Sequence, residues 1–379
     1  MVNRFRFVEI LLCLLILLFS GCESDEPVDE IPVDRTVLVY LLANNDLSND
    51  LKTNVNAMIS VAKKGVVNEG NLLVYLDDTS GESSLYRITA KGREIVKEYG
   101  ERNSATREVL REVIDDVTTM YPAKEYGLIF GGHGSGWMDN SKTEKVYRSM
   151  EKTGIGLPLT RAFGTDGGNW MNLDDMAAGI PDKTFRFILF DVCYMAGVET
   201  AYALRHKTDY IVASGTEVMG AGYPYSRIIP LMFLLSLNLE DICDVFYEYY
   251  QGKNATTGVI DCRELEALAA VIKEVRNQYP ERYASVSSDR SLMQQFGRNG
   301  YKNCFYDLSD FMLRVIGDDE ELQQEYNEQM ALTVPYMKSS SYFLELPIKT
   351  YCGLSTYIPL PGEINDFYDN LEWSKAIND

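Results

Sequence analysis

A histidine and a cysteine each follow closely after an apolar segment that is typical of a buried parallel strand. Residues 127–131 lead into Gly132 and His133, and residues 185–191 lead into Cys193. Active sites of open α/β sheets lie at the carboxyl ends of their parallel strands, so we expect His133 and Cys193 to meet at one edge of one sheet. A thiol nucleophile and an imidazole base suit this arrangement.

The choice of base is narrow, because the chain has only two histidines, His133 and His206. His206 lies near the predicted end of a helix, where a cation at the helix terminus is the expected role. His133 follows a buried strand and stands among glycines, which favours a functional histidine over a satisfied loop histidine. Two histidines and no Cys-x-x-Cys pair make a zinc site hard to build, so we expect no metal and no cofactor.

The surroundings of Cys193 favour a reactive thiol. A thiol attacks as its thiolate, and a helix predicted to begin directly after Cys193 would stabilise the anion through its dipole. We expect the backbone N–H groups of Gly134 and Cys193 to form an oxyanion hole. The alternative is a buried core thiol, the commonest fate of a free cysteine. Asp191, two residues earlier on the same strand face, argues against a dry core.

The composition limits the classes of molecule that the chain can bind and the state of its cysteines. With 56 acidic and 36 basic residues the formal net charge is −20. Such a chain does not favour nucleic acid or anionic lipid surfaces, and it attracts cationic substrates. The five cysteines beyond residue 22 are widely spaced and odd in number, which is not a disulfide framework. At least one thiol is therefore expected to be free.

The N-terminus resembles an export signal. Residues 1–21 combine a short basic region, an apolar run and a small-residue ending, and Cys22 follows as in the lipobox of bacterial lipoproteins. The acidic residues 22–35 then read as a solvated tether. We expect a protein lipidated at Cys22 and anchored to the bacterial outer membrane or cell surface. The alternative is an ordinary signal peptide with a chance cysteine.

Alternating strand and helix patterns predict an α/β fold whose mostly parallel sheet carries helices on both faces. We expect a catalytic core over residues 36–224 and a helix-rich part over residues 225–379 that completes the sheet. The predicted strands are residues 36–43, 72–76, 85–89, 126–131, 185–191, 210–213 and 354–358.

Residues 138–184 form an unusually long connection between the two strands that carry the reactive residues. Its first part is basic, with Lys142, Lys145, Arg148 and Lys152. A long polar insertion beside a catalytic edge is typical of a lid, a substrate loop or a cleavage site. The alternative is a small surface subdomain of no special function.

Two segments resemble the active-site segments of the clostripain family of cysteine peptidases, which belongs with the caspases, gingipains and legumains. They are residues 128–137, around His133, and residues 189–196, around Cys193. Further similar segments are residues 38–47, 214–225, 306–308 and 353–359, so the resemblance covers roughly residues 36–360.

The resemblance implies a caspase-like sheet, a Cys193/His133 dyad and hydrolysis of peptide bonds after Arg or Lys. Asp191 stands where the family keeps an acid in its primary specificity pocket, and Glu217 and Thr216 belong to the same expected substrate site. The sequence departs from the family at residues 218–221, where a Pro-Gly pair and a further polar residue are usual. The pocket is therefore expected to carry less negative charge.

The resemblance also implies maturation by cleavage. We expect the chain to cut its own 138–184 loop after Arg148, with Lys152 as the second choice, since a tethered substrate has a high effective concentration. Two alternatives from other classes remain open. One is a surface lipoprotein that binds peptides without turnover, and the other is a different thiol enzyme such as a transpeptidase or an amidase.

Overall fold

The computed structural model describes residues 32–67, 70–138, 165–166, 168–298, 301–361 and 365–378. Within these ranges, nine strands form one mixed sheet. They are β1 (Val33–Ala43), β2 (Gly70–Asp78), β3 (Ser83–Thr89), β4 (Gly92–Gly100), β5 (Ala123–Gly131), β8 (Phe185–Asp191), β9 (Thr208–Ala213), β10 (Thr256–Asp261) and β12 (Tyr336–Ser339). Six two-residue strands lie outside the sheet: β6 (Thr165–Asp166), β7 (Asn169–Trp170), β11 (Tyr306–Asp307), β13 (Tyr342–Phe343), β14 (Leu346–Pro347) and β15 (Ser355–Thr356).

The strand order is β12-β10-β9-β8-β5-β1-β2-β3-β4. The five central strands, from β9 to β2, run parallel, while β3 and β4 at one side and β10 and β12 at the other are antiparallel. The predicted mostly parallel sheet is confirmed. At one side of the sheet the antiparallel strands belong to hairpins that follow β2. At the other side they come from the second half of the chain.

Twelve helices are present in the described ranges. They are α1 (Ser48–Ala62), α2 (Arg107–Met120), α3 (Leu173–Gly179), α4 (Val198–Leu204), α5 (Tyr225–Met232), α6 (Leu239–Tyr249), α7 (Leu265–Gln278), α8 (Pro280–Ser288), α9 (Leu308–Ile316), α10 (Glu320–Thr333), α11 (Asp366–Asp369) and α12 (Glu372–Asn378). None of the helices among these residues is both long and apolar enough to cross a membrane.

Two apolar clusters sandwich the sheet. Alternate residues of β1 belong to different clusters, because successive side chains of a strand point to opposite faces. Val37 and Val39 pack with α1, α5 and α6, whereas Leu38 and Tyr40 pack with α2, α4, α7 and α9. The prediction of helices on both faces is therefore confirmed.

Local sequence explains the helices that position the site. In α2 the buried residues recur at helical spacing, and the Thr106 side chain accepts a hydrogen bond from the Val109 N–H as its N-cap. At the start of α1, Asn45 accepts from the Leu47 N–H and donates to the Leu42 carbonyl. That turn holds Asp46, the residue after Asn45, at the carboxyl end of β1.

The predictions for the N-terminal segment concern residues that the structure largely does not describe. Residues 1–21 and Cys22 are not among the described residues, and the tether predicted over residues 22–35 is described only from residue 32. Strand β1 begins at Val33, three residues before the start that the apolar pattern indicates. Its Arg35 is buried and donates hydrogen bonds to the Met232 carbonyl and to Glu125.

Candidate active site

His133 and Cys193 extend from neighbouring strands at the same level. Strands β5 and β8 are parallel, and their register pairs Gly131 with Asp191 at the carboxyl edge. His133 and Cys193 each lie two residues beyond this pair. Since neighbouring strands are about 4.8 Å apart, the two residues leave the sheet side by side.

Asp46 is the partner of the histidine. The His133 Nε2 atom lies 2.5 Å from an Asp46 carboxylate oxygen, and the His133 side chain is 4% exposed against 33% for Asp46. With Nε2–H donating to the carboxylate, Nδ1 is the nitrogen that can exchange a proton in catalysis. Asp46 follows β1, which pairs with β5, so three successive strand ends contribute to one cluster.

The cysteine sulfur is held by a backbone amide. The Cys193 Sγ atom accepts a hydrogen bond from the Val218 N–H at 3.1 Å, and the Val218 carbonyl lies 3.7 Å away. An N–H donor stabilises a thiolate. The helix expected directly after Cys193 begins only at Val198, so the amide of Val218 supplies the stabilisation that we assigned to a helix dipole.

The residue after the nucleophile is strained. Tyr194 has φ of +61°, a left-handed conformation that bulky residues rarely adopt and that costs on the order of 1–3 kcal/mol. Its N–H donates to the Thr216 carbonyl at 2.9 Å, and two residues later the Ala196 N–H donates to the Ser214 carbonyl at 3.0 Å. These bonds hold the segment after β8 alongside the segment after β9 and maintain the sharp bend at Cys193.

Asp191 lies fully buried at the end of β8. One carboxylate oxygen accepts from the Tyr223 N–H at 3.1 Å and the other from the Tyr225 hydroxyl at 3.0 Å. The carboxylate therefore anchors the loop that leads into α5.

Thr216 and Glu217 follow β9 and lie beside the nucleophile segment. The Thr216 hydroxyl belongs to a buried cluster with Ser214 and Thr256, at 3.3 Å and 2.9 Å. The Glu217 carboxylate accepts from the Arg298 guanidinium at 2.6 Å. Thr216 thus contributes its backbone to the site, while Glu217 contributes a buried charge that already has a basic partner.

Cys193 shares an apolar cluster with aromatic residues. Cys193 is completely buried, and it belongs to an apolar cluster with Trp137, Tyr194 and Phe305. The rings of Tyr194 and Phe305 stack with centroids 4.4 Å apart, and the Trp137 indole N–H donates to the Cys304 carbonyl. At Gly136, where φ is +60°, a Cβ atom would lie 2.7 Å from the Tyr194 carbonyl oxygen. In this structure a substrate therefore has no open path to the sulfur.

A segment near the C-terminal end of the chain clamps the residues after Cys193. The Ser355 N–H donates to the Ala196 carbonyl at 2.8 Å. The buried Glu199 carboxylate accepts from the Tyr357 N–H at 2.7 Å and from the Thr356 hydroxyl at 3.0 Å. Loss of solvent around this carboxyl raises the pKa of Glu199 to about 7.

The remaining predicted positions divide into two groups. Gly134 is buried next to His133 at the same edge, whereas His206 lies at the opposite edge with its side chain 55% exposed. Arg148 and Lys152, the predicted cleavage positions, lie outside the described residues, as does the lipidation position Cys22. Within the described ranges no group of three or more His, Cys, Asp or Glu side chains is arranged to hold a metal ion.

A mostly parallel sheet that delivers a histidine and a cysteine to neighbouring strand ends defines a cysteine peptidase of caspase-like fold. The pattern of the clostripain family matches residues 39–378, and the chain belongs to that family. The expected family, fold class and enzyme class are thereby confirmed. No curated protein sequence matches the chain.

Solved structures of the same class resemble the chain over nearly its whole length. A secreted cysteine protease of Bacteroides thetaiotaomicron, iotapain, is 27% identical with a TM-score of 0.77, and the match covers 92% of this chain and 100% of that one. An inactive protease zymogen of Parabacteroides distasonis is 30% identical with the same TM-score and the same coverage. The Bacteroides thetaiotaomicron protease in complex with an irreversible peptide inhibitor is 27% identical with a TM-score of 0.74, covering 91% and 99%.

Proposed function

We propose that the protein is a cysteine endopeptidase that cleaves after Arg or Lys, with Cys193 as nucleophile and His133 as general base and acid. The observation that carries this proposal is the strand register. Gly131 pairs with Asp191, so His133 and Cys193 leave adjacent strands at equal offsets. A peptide carbonyl placed between them would meet the sulfur and the imidazole together.

The neighbouring groups account for the individual steps. The Val218 N–H stabilises the thiolate, and Cys193 Sγ attacks the carbonyl carbon. The N–H groups of Gly134 and Cys193 bind the resulting oxyanion, where one donor typically contributes about 3 kcal/mol. His133 takes the thiol proton from Cys193 and gives it to the leaving amine. It then takes a proton from the water that hydrolyses the thioester and returns it to the released sulfur. Asp46 holds the imidazole ring in the required orientation.

Specificity follows from the acids near Cys193. Asp191 is the principal carboxylate of the primary pocket, with Glu217 and Thr216 at the same wall. A carboxylate about 4 Å from a guanidinium gives roughly 4 kcal/mol at an effective dielectric constant near 20, more than one methylene in an apolar pocket, which gives about 1–3 kcal/mol. The net charge of −20 also attracts basic peptides over long range.

The chain matures by cutting its own 138–184 loop, after Arg148 first and after Lys152 second. The complete burial of Cys193 supports this step, because a substrate needs a rearrangement before it reaches the sulfur. The loop leaves the strand end that carries His133 and returns to the strand that carries Cys193. The Parabacteroides distasonis relative is described as an inactive zymogen, which agrees with activation by cleavage.

The protein is exported and anchored through a lipid on Cys22. The motif before Cys22 supports the anchor, and the description of iotapain as secreted supports export. Replacement by Cys22→Ser should release the protein from the membrane fraction of the producing bacterium. An unchanged distribution between membrane and soluble fractions would rule out the anchor.

The experiment that tests the catalytic proposal is labelling with a matched pair of acyloxymethyl ketone peptides, one ending in Lys and one in Leu. The Lys probe should label the mature protein at least tenfold faster, and mass spectrometry should locate the adduct on Cys193. An adduct on Cys304 or Cys352, the half-buried thiols, would refute the assigned nucleophile. Equal labelling by the two probes would refute the basic specificity.

Self-processing is tested by the intact mass of the purified protein. Wild-type protein should split into two pieces that stay associated through the sheet, and Cys193→Ala should remain one chain. Arg148→Ala should slow the cut or move it to Lys152. Wild-type protein that is fully active while uncut would show that cleavage is not needed.

A further inference from the structure

Arg298 forms a buried ion pair with one of the two pocket acids. Its Nη1 atom lies 2.6 Å from Glu217 Oε2, and its Nη2 and Nε atoms lie 2.6 Å and 3.0 Å from Glu345 Oε1. The Arg298 side chain is 11% exposed and that of Glu217 only 4%, whereas Glu345 is 69% exposed. The guanidinium therefore joins a buried acid to an exposed one.

This ion pair lies close to the nucleophile. Glu217 precedes Val218, whose N–H holds the Cys193 sulfur. The Arg298 backbone N–H donates to the hydroxyl of Tyr194, the residue after Cys193, at 3.4 Å. A basic side chain of a substrate that reached Glu217 would meet the guanidinium of Arg298 at the same carboxylate.

The ion pair between Arg298 and Glu217 is strongly stabilised. Burial disfavours the charge on Arg298, but attraction to Glu217 and Glu345 outweighs it and raises the pKa of the guanidinium above its ordinary value. A buried carboxylate that loses its partner is strongly destabilised, so a substrate cation would have to replace the interaction that Arg298 supplies. Because one cation would only replace another, the substrate would gain little binding free energy at Glu217.

We infer that Arg298 is a specificity-determining residue that keeps Glu217 neutralised, so that selection for a basic substrate side chain depends on Asp191. This inference rests on the proposed endopeptidase function. Arg298 acts on the substrate through Glu217, so it is a positioning residue for the pocket rather than a catalytic one. The pocket is then less negative than its two acids indicate.

The test uses mature, processed enzyme and two fluorogenic peptides that differ only at the cleavage position, with arginine in one and its neutral isostere citrulline in the other. The measured quantity is the ratio of kcat/KM for the two peptides. A change in folding or general activity affects both peptides alike, so this ratio isolates the charge that the pocket presents. The variants are Arg298→Gln, Glu217→Gln, the double variant and, as control, Glu345→Gln.

Arg298→Gln should raise the arginine-to-citrulline ratio about tenfold, because it exposes the Glu217 charge to the substrate. Glu217→Gln alone leaves the Arg298 cation paired only with the exposed Glu345 and should lower the ratio, whereas the double variant should return to within twofold of wild type. Glu345→Gln removes only the exposed partner and should also stay within twofold. Thermal unfolding should show Arg298→Gln destabilised and the double variant partly restored.

An active Arg298→Gln enzyme with an unchanged ratio would overturn the inference and leave the endopeptidase proposal intact. If Arg298→Gln does not fold, the double variant decides the question, and a tenfold fall of its ratio below that of wild type overturns the inference. If wild-type enzyme cleaves neither peptide and Cys193 is not labelled, the endopeptidase proposal fails and this inference fails with it.

Discussion

The two edges of the central sheet are built from the same parallel strands, but they treat ionisable residues in opposite ways. At the amino edge a cavity of about 630 Å³ is lined by ionisable side chains that include Arg186, Arg205, His206 and Arg263. These residues are joined into ion pairs, such as Arg186 with Asp209 at 2.6 Å. At the carboxyl edge the cavity that touches His133 has a volume of about 10 Å³.

The carboxyl edge instead holds ionisable residues that are buried almost completely. His133, Asp191, Cys193 and Glu217 are all less than 5% exposed. Burying such groups is expensive unless they have partners, so their concentration at one edge marks a functional site. Cavity size does not locate the chemistry of this protein, whereas the burial of reactive groups does. Substitutions at the two edges should therefore differ in their effects.

The largest expected effect separates two buried cysteines. Cys193→Ala should lower kcat/KM for a basic peptide at least a thousandfold, because loss of a nucleophile removes the covalent route. Cys262→Ala, at the amino edge, should keep the rate within twofold, although burial raises the pKa of its thiol well above the ordinary value. Steady-state assays measure both variants, after Cys193→Ala has been cut in trans by wild-type enzyme that is then removed, and a Cys193→Ala enzyme with appreciable turnover would contradict the assigned edge.

The second comparison uses the two histidines. His133→Ala should reduce kcat/KM by about 10²–10⁴-fold, the usual contribution of general acid–base catalysis. His206→Ala should change it less than twofold, because His206 is largely exposed and lies 3.6 Å from Glu266 at the amino edge. The same peptide assay distinguishes them, and comparable losses in the two variants would refute the role of His133.

A smaller effect is expected at Asp46. Asp46→Asn replaces a charge-assisted hydrogen bond, which contributes about 1.5–3 kcal/mol, and should lower kcat about 10- to 100-fold with little change in KM. Asp50→Asn, in the first turn of α1 and exposed, is the matched control. Stopped assays at saturating peptide measure kcat directly. If Asp46→Asn retains full activity, the contact to His133 has no role in the reaction.

The smallest effect on turnover is expected at Glu199, the buried carboxyl beyond the carboxyl edge, where the expected change is in stability. Burial raises its pKa from 4.5 to about 7, so the folded state binds the proton more tightly than the unfolded state. Stability should therefore fall as pH rises from about 4.5 to 7, by on the order of 3 kcal/mol, and should then level off.

Glu199→Gln should remove this slope in denaturant unfolding measured between pH 4.5 and 8. Asp182→Asn is the control near the amino edge. A hydrogen bond from Lys207 lowers the pKa of Asp182 below 3.8, so its contribution is lost only below that range and the slope should persist. A Glu199→Gln protein with the wild-type slope would show that another group is responsible.

The sequence predicts best where one strand carries a continuous apolar run. The predicted strand over residues 185–191 coincides with β8, and residues 126–131 lie within β5. The apolar pattern does not predict β10 and β12. These strands are short and antiparallel, and the residues that pair between them are about 80 positions apart in the sequence. Their partners are chosen by tertiary contacts, which a local pattern does not contain.

The reactive pair of the site is visible in the sequence because both residues follow buried strands. Asp46 stands in a polar turn of the kind that precedes a helix, and the sequence does not distinguish its role from that of Asn45. In the structure Asn45 makes the turn contact, while Asp46 binds His133. Val218 acts through its backbone amide, so its residue type carries no signal. Arg298 is 81 positions from Glu217, and only the folded chain brings them together.

The clamp between residues 355–357 and the segment after Cys193 has a consequence for the order in which activity arises. Ser355 binds Ala196 across 159 positions of sequence, and Tyr357 binds Glu199 across 158. A growing chain presents His133 and Cys193 long before these residues exist. Contacts of such separation form late and slowly in folding. The frame around Cys193 therefore closes only after residues 355–357 have been synthesised, and chains that stop before them should remain without proteolytic activity.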